Sequence, residues 1–205
     1  TPEQLAAITD DLLPGILIQS VLFGSTMTGV GLADDISKGM IDRFRSLPMA
    51  RSAVLAGRTL ADTCRNIFVV LLMTGVGAII GFRIQNGIGY AFIALFVAVF
   101  FGLAFSWVSA TIGMLVKNSE TAQVAGFVWV FPLVFISSVF VPIETMPKAL
   151  KAFAEINPIT VTVNAMRALT LGGEIQTPLV QSLMWSAGIL AVFIPLAVYL
   201  YRRNV

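Results

Sequence analysis

Residues 88–116 read IGYAFIALFVAVFFGLAFSWVSATIGMLV, with no charged side chain anywhere in the run. A bilayer core about 30 Å thick needs roughly 20 apolar residues as helix, so this run can cross it with length left to tilt or protrude. Its apolar residues do not alternate, which argues against a barrel strand. Working outward, the chain holds four more such runs. Towards the N-terminus lie 12–33, between Asp11 and Asp34, and 66–82, between Arg65 and Arg83. Cys64 and the aliphatic stem of Arg65 extend the second of these to 64. Towards the C-terminus lie 121–143 and 175–201, the last crossing from about 178. The expected fold is an all-α integral membrane protein with spans at 12–33, 64–82, 88–116, 121–143 and 178–201.

Composition supports that reading. Apolar residues make up 57% of the 205 and charged residues 12%, about half the usual charged share of a soluble domain. Mean hydropathy is +0.89. So few charges cannot clothe a soluble surface, and the hydrophobicity excludes disorder. A net charge of +2 without a long basic stripe argues against nucleic acid as a partner. One cysteine and no histidine exclude a disulfide framework and leave a zinc site without its usual ligands. The charge-free runs themselves carry none of the ionisable residues on which ion-coupled transport relies. No glycine-rich phosphate loop of the Walker kind occurs, so uphill movement of a substrate would draw energy from a partner.

The basic residues orient the chain. Lys38, Arg43, Arg45, Arg51, Arg58, Arg65, Lys117, Arg202 and Arg203 fall on one side of the five spans, and Arg83, Lys148, Lys151 and Arg167 on the other. The richer side is expected to be cytoplasmic, with the C-terminus inside and residues 1–11 outside. The chain opens on Thr1-Pro2 without a basic n-region. The expectation is therefore a sixth span upstream of residue 1, with a cleaved signal peptide as the alternative.

Residues 34–48, DDISKGMIDRFRSLP, form the most distinctive polar stretch. Ile36, Met40, Ile41, Phe44 and Leu47 recur at helical spacing. Asp34 or Asp35 can cap such a helix and Pro48 stops it. Read from the residues alone, this is either a surface helix or one that docks into a groove on a soluble partner. The order Asp35, Gly39, Met40, Ile41, Asp42, Phe44, Arg45, Ser46, Leu47, Pro48 resembles the coupling helix of ABC type-2 transporter permeases, especially the daunorubicin-resistance type. It departs at Met40, where Thr is usual, and at Ser37, where an acidic residue is common. Downstream, Asn157-Pro158-Ile159-Thr160, then Asn164 to Leu169 and Gly172-Gly173, resemble the Asn-Pro segment before that family's last span, and Pro142, Met146 and Pro147 its proline-rich entry.

The resemblance implies six spans per subunit and a coupling helix at 35–47 that contacts an ATPase through Asp35, Lys38, Gly39, Met40, Ile41, Asp42, Phe44, Arg45 and Pro48. ATP and Mg would sit on that partner, and a second permease subunit would complete the complex. It also implies that spans one and four line the pathway, with Gln19, Thr26, Phe127, Phe131 and Phe135 as candidate cargo residues. In the external segment 144–177, Pro147 can start a helix, Asn157-Pro158 breaks it, and a second helix runs from Thr160 to a stop at Gly172-Gly173. The residues allow two helices lying on the outer leaflet. The resemblance implies short re-entrant helices that close the pathway, with Pro142, Met146, Pro147, Asn157 and Pro158 at the external gate.

Small residues four apart let membrane helices approach closely, and they occur as Ser25/Gly29, Gly77/Gly81 and Ser109/Gly113. The expected function is a permease subunit of an ABC exporter in the cell membrane, moving a drug, antibiotic or lipid. A membrane scaffold for a soluble partner and an ATP-independent lipid scramblase are the alternatives.

Overall fold

The computed structural model describes residues 2–40, 51–116, 118–139 and 146–204. Along these residues run seven helices: α1 (Pro2–Ser37), α2 (Arg51–Ile80), α3 (Ile88–Val116), α4 (Ser119–Phe135), α5 (Lys148–Ile156), α6 (Pro158–Leu171) and α7 (Gln176–Asn204). Asp10–Ser37, Ala56–Ile80, Ile88–Val116 and Gln176–Tyr201 are long and apolar enough to cross a membrane. The chain is a multi-pass membrane protein.

The quoted run 88–116 and the last span lie where the hydropathy put them. Three boundaries differ. The first helix extends beyond 12–33 at both ends, so Asp34 and Asp35 belong to its last turn and do not cap a new helix. The second is already helical from Arg51, well before 64, and its Arg58, Asp62 and Arg65, which hydropathy assigned to a loop, find partners on α1. The fourth stops at Phe135, short of 143, and is an apolar helix below spanning length. Among the described residues, four helices are long and apolar enough to cross, and α4 is the shorter apolar helix among the five runs read from the sequence.

Helix α3 lies at the centre. Its Val97, Phe101 and Phe105 share one core with Leu17, Ile18, Val21 and Leu22 of α1, Val130 and Val134 of α4, and Ile159, Val163, Met166 and Leu169 of α6. Lipid is as apolar as leucine, so helices in it associate through close packing and hydrogen bonds. The α1–α3 contact uses both. A Cβ on Gly29 would collide with the Ser109 backbone, and one on Gly113 with the Gly29 carbonyl. The Ser25 hydroxyl donates to the Gly102 carbonyl at 2.9 Å. Two of the small-residue pairs noted in the sequence thus pack on each other. The third does not form such a surface: Gly77 receives Leu13, while Gly81, at φ +123°, follows the end of α2.

Helix α6 is almost wholly buried, and its ends are satisfied from elsewhere in the chain. Helix termini leave backbone groups unpaired, which is costly away from water. At its start, Asn157 accepts from Ile159 N at 2.9 Å, and Pro158 occupies the first turn. At its end, the Asn86 amide donates to Ala168 and Leu169 carbonyls at 2.9 and 3.2 Å, and Gln85 N donates to Thr170 O at 2.8 Å. Arg167 pairs with Asp11 at 3.2 Å, tying α6 to α1. The helix begins at Pro158 and not at Thr160, since Pro fits the first turn without losing a bond.

Candidate functional site

The candidate site is built on α1, a single uninterrupted helix whose faces meet different neighbours. At its C-terminal end, Asp35, Lys38, Gly39 and Met40 follow one another closely. Gly39 N bonds to Ile36 O at 3.1 Å with φ +65°, the left-handed geometry that ends helices and favours glycine. The expected helix over 35–47 therefore cannot begin at Asp35: residues 35–37 are α1, and a turn follows at 38–39. Two carboxylates at a helix C-terminus oppose the macrodipole, and cations answer both. Lys38 donates to Asp34 at 2.6 Å, and Arg58 pairs with Asp35. The hydrogen bond and charge of Asp34 hold the exposed Lys38 ammonium above its ordinary range. Ile41, Asp42, Phe44, Arg45 and Pro48 lie outside the described residues.

The face of α1 towards α2 carries Gly24, Thr28, Gly31 and Asp35, spaced four, three and four apart. Facing them on α2 are Arg58, Asp62 and Arg65, spaced four and three, in antiparallel register. Arg58 reaches Asp35 across Gly31, where a Cβ would strike the guanidinium. Thr28 donates to Asp62 at 2.5 Å. Arg65 donates to the Gly24 carbonyl and lies 3.5 Å from Asp62. Deeper still, Asn66 is buried against Gly102. Sequence reasoning missed this ladder because it ended the second span at Arg65. The matching helical spacings on 24/28/31/35 and 58/62/65 were the available signal.

The face towards α4 is aromatic. Phe23 lies 6.1 Å from Phe127 and 6.0 Å from Phe131, centroid to centroid. Phe131 in turn lies 5.6 Å from both Phe127 and Phe135. Thr26 packs opposite Gly126, and Gly15 opposite Val139. That antiparallel register places Gln19 at the level of Phe135. Thr26, Phe127, Phe131 and Phe135 thus fall along one seam, and Gln19 lies on α1 at the level of its Phe135 end. Phe23 joins them and was not singled out from the sequence, since α1 has no aromatic run to draw attention to it. Ala122, Gly126, Val130 and Val134 bury one side of α4. Phe131 and Phe135 stay 43% and 64% exposed on the other.

The gate candidates separate. Asn157 is 2% exposed, and its amide donates to Leu133 O at 2.7 Å and Ile136 O at 2.9 Å. It thereby caps the end of α4 while its oxygen caps the start of α6. Thr160 accepts from Ser138 N at 3.2 Å beside it. Pro158 follows within α6. Pro147 lies apart, exposed at the start of α5, with Met146 just before it, and Pro142 is outside the described residues. An apolar cavity of about 380 Å³ borders the same junction, lined by Phe105, Trp129, Leu133, Phe153, Trp185 and Phe193 among others.

The family profile described as ABC-2 type transporter matches residues 1–171. The chain is 36% identical over 192 residues to the daunorubicin resistance ABC transporter permease protein DrrB1 of Streptomyces coeruleorubidus, covering 94% of this chain and 68% of that protein. It is 30% identical over 194 residues to the probable doxorubicin resistance ABC transporter permease protein DrrC of Mycobacterium tuberculosis (strain ATCC 25618 / H37Rv), covering 94% and 69%. With a match over most of its length and relatives aligned across nearly all of it, the chain belongs to the ABC-2 type transporter family and is homologous to permeases of drug-resistance exporters.

Proposed function

We propose that this chain is the membrane-spanning subunit of an ATP-driven exporter of a hydrophobic or amphipathic cargo such as a drug, antibiotic or lipid. Two permease subunits, identical or related, pair with two ATPase subunits that hold ATP and Mg. The C-terminus and residues 38–50 face the cytoplasm. The observation that carries the reading is the exposed aromatic seam of α1 and α4, with Gln19 on α1 at the level of one end, in a chain homologous to drug-resistance permeases. Such a surface suits a greasy cargo with a few polar groups. Asp35, Lys38, Gly39 and Met40 stand at the end of the helix that carries Gln19, Phe23 and Thr26. Closure of the ATPases on ATP moves that end, and α1 carries the motion to the seam, switching the pathway between inward and outward openings.

The test is purification of the complete reading frame in mild detergent, with and without the Gly39→Pro, Arg45→Glu double change, followed by efflux measurement. A Walker-motif ATPase retained by the wild type and lost in the variant, with ATP-dependent efflux, is the expected outcome. A retained partner without efflux would make the chain a scaffold. Flux independent of nucleotide would make it a scramblase.

A further inference from the structure

Charged side chains within a span are costly and are retained where they act. The described α2 places Arg58, Asp62 and Arg65 inside Ala56–Ile80. All three lean on α1, and glycines on α1 leave room for the guanidinium groups. Gly31 has no space for a Cβ beside Arg58, and a Cβ on Gly24 would lie 3.5 Å from the Arg65 Nη2. The ladder runs from Asp35 to Gly24, about 16 Å along the helix at 1.5 Å per residue. It joins the two helices that flank residues 41–50.

The α1–α4 seam contrasts with it. Among its described residues it is held by apolar contacts, namely ring against ring, Thr26 against Gly126, Gly15 against Val139, and Val130 and Val134 in the shared core, with no ion pair across it. Tilted and edge-on ring contacts with centroids about 6 Å apart tolerate small shifts, whereas a carboxylate–guanidinium contact and a hydroxyl–carboxylate bond of 2.5 Å fix one register.

We propose that Arg58, Asp62 and Arg65 fasten α1 and α2 into one moving body, and that displacement within the subunit falls on the α1–α4 seam. Arg58 is a positioning residue: it touches no cargo and acts by holding Asp35, so that a push at the end of α1 is not lost in bending of its last turns. The inference rests on the exporter reading above.

Two measurements test it on the complete complex. The first places spin labels on exposed positions, in a Cys64→Ser background. One pair is Met27 with Leu60, across α1–α2, and the other Met27 with Val128, across α1–α4. On adding ATP with vanadate, the α1–α2 distance stays constant while the α1–α4 distance changes by more than about 2 Å, the scale of helix shifts in switching proteins. This needs no ladder variant to fold. An α1–α2 change as large as the α1–α4 change overturns the proposal.

The second compares cargo moved per ATP hydrolysed. Arg58→Ala keeps the ATPase subunit bound and hydrolysing, yet moves about tenfold less cargo per ATP, within the range by which residues between coupled sites act. Arg58→Lys, which keeps a cation for Asp35, restores most of the ratio. A purely structural role would lower the amount of complex without changing that ratio. Equal ratios in wild type and Arg58→Ala overturn the proposal, as does a loss that Arg58→Lys leaves unrepaired. If no ATPase accompanies even the wild type, the exporter reading itself fails before any ladder variant is made.

Discussion

The α1–α2 seam and the α1–α4 seam share one helix and are made of opposite materials. The first pairs Arg58 with Asp35, Thr28 with Asp62 and Arg65 with a backbone carbonyl. The second sets Phe23 tilted against Phe127 and edge-on to Phe131 and leaves Phe131 and Phe135 exposed. Directional bonds with few solutions hold a register. Ring contacts, each worth about 0.5–1.5 kcal/mol beyond area, hold a surface while allowing it to shift. A helix with both faces can be gripped on one side and work on the other.

Glycine-to-alanine changes on the faces of α1 probe this contrast most directly, because they add the same methyl group to different surroundings. Gly29→Ala, on the third face against α3, has the largest effect. Its methyl meets the Ser109 backbone, which has no rotamer to yield. A loss of about 3 kcal/mol or more, at the upper end of overpacking costs, is expected as poor accumulation and a lowered unfolding temperature in detergent.

Gly31→Ala comes second. The atom it meets is the end of the Arg58 side chain, which can swing away, but only by leaving Asp35. The pair is about one-third exposed, so its loss is screened. A destabilisation of about 1 kcal/mol is expected, well below that of Gly29→Ala. Equal effects would mean that the α2 face is as rigid as the α3 face.

Phe131→Ala follows. The ring is partly exposed and its removal leaves the core of α4 intact, so folding changes by less than about 1 kcal/mol. The effect appears in cargo preference, read from efflux profiles across cargoes of different size. An unchanged profile would remove Phe131 from the pathway.

Gly126→Ala is smaller again. Its methyl meets Thr26 at 3.5 Å, an ordinary contact. The better helix propensity of alanine offsets any crowding, leaving stability within about 0.5 kcal/mol of wild type or slightly raised. A marked loss would show that the aromatic seam is as tightly packed as the others.

The smallest effect concerns pH. Asp34 raises the Lys38 ammonium, so the contact is fully present below the ordinary lysine value and is lost only as pH rises through the raised one. Unfolding temperature should not respond to this pair between pH 6 and 9. A Lys38→Ala variant with a different pH profile in that window would contradict the assignment.

Asn157 shows where one-dimensional reading stops. The Asn-Pro pair was legible as a break between two helices, and it is one. That its amide also closes the end of α4, some twenty residues earlier, was not. Hydropathy carried the fourth span to 143, because a helix terminus buried in protein looks as apolar as the helix itself. Only the position of a distant amide ended it at Phe135. In the same way, Arg58, Asp62 and Arg65 read as a polar approach to a span, since a window average counts charge and ignores partners. Phe127, Phe131 and Phe135 were legible as an aromatic run, whereas Phe23 entered through packing alone.

The sequence by itself determined that the chain is helical, lies in a membrane and belongs with ABC type-2 permeases. Long charge-free runs admit few other solutions in a medium where every backbone group must be bonded internally. Tertiary structure alone decided which faces meet. Ser25/Gly29 found Ser109/Gly113 because their backbones could come close. The charges of α2 became tolerable only where α1 supplied glycines, a hydroxyl and a carboxylate in matching register. Hydrophobicity is additive along a chain and can be read locally. A hydrogen bond or ion pair between helices depends on two distant positions at once, and it acquires a value only when the fold brings them together.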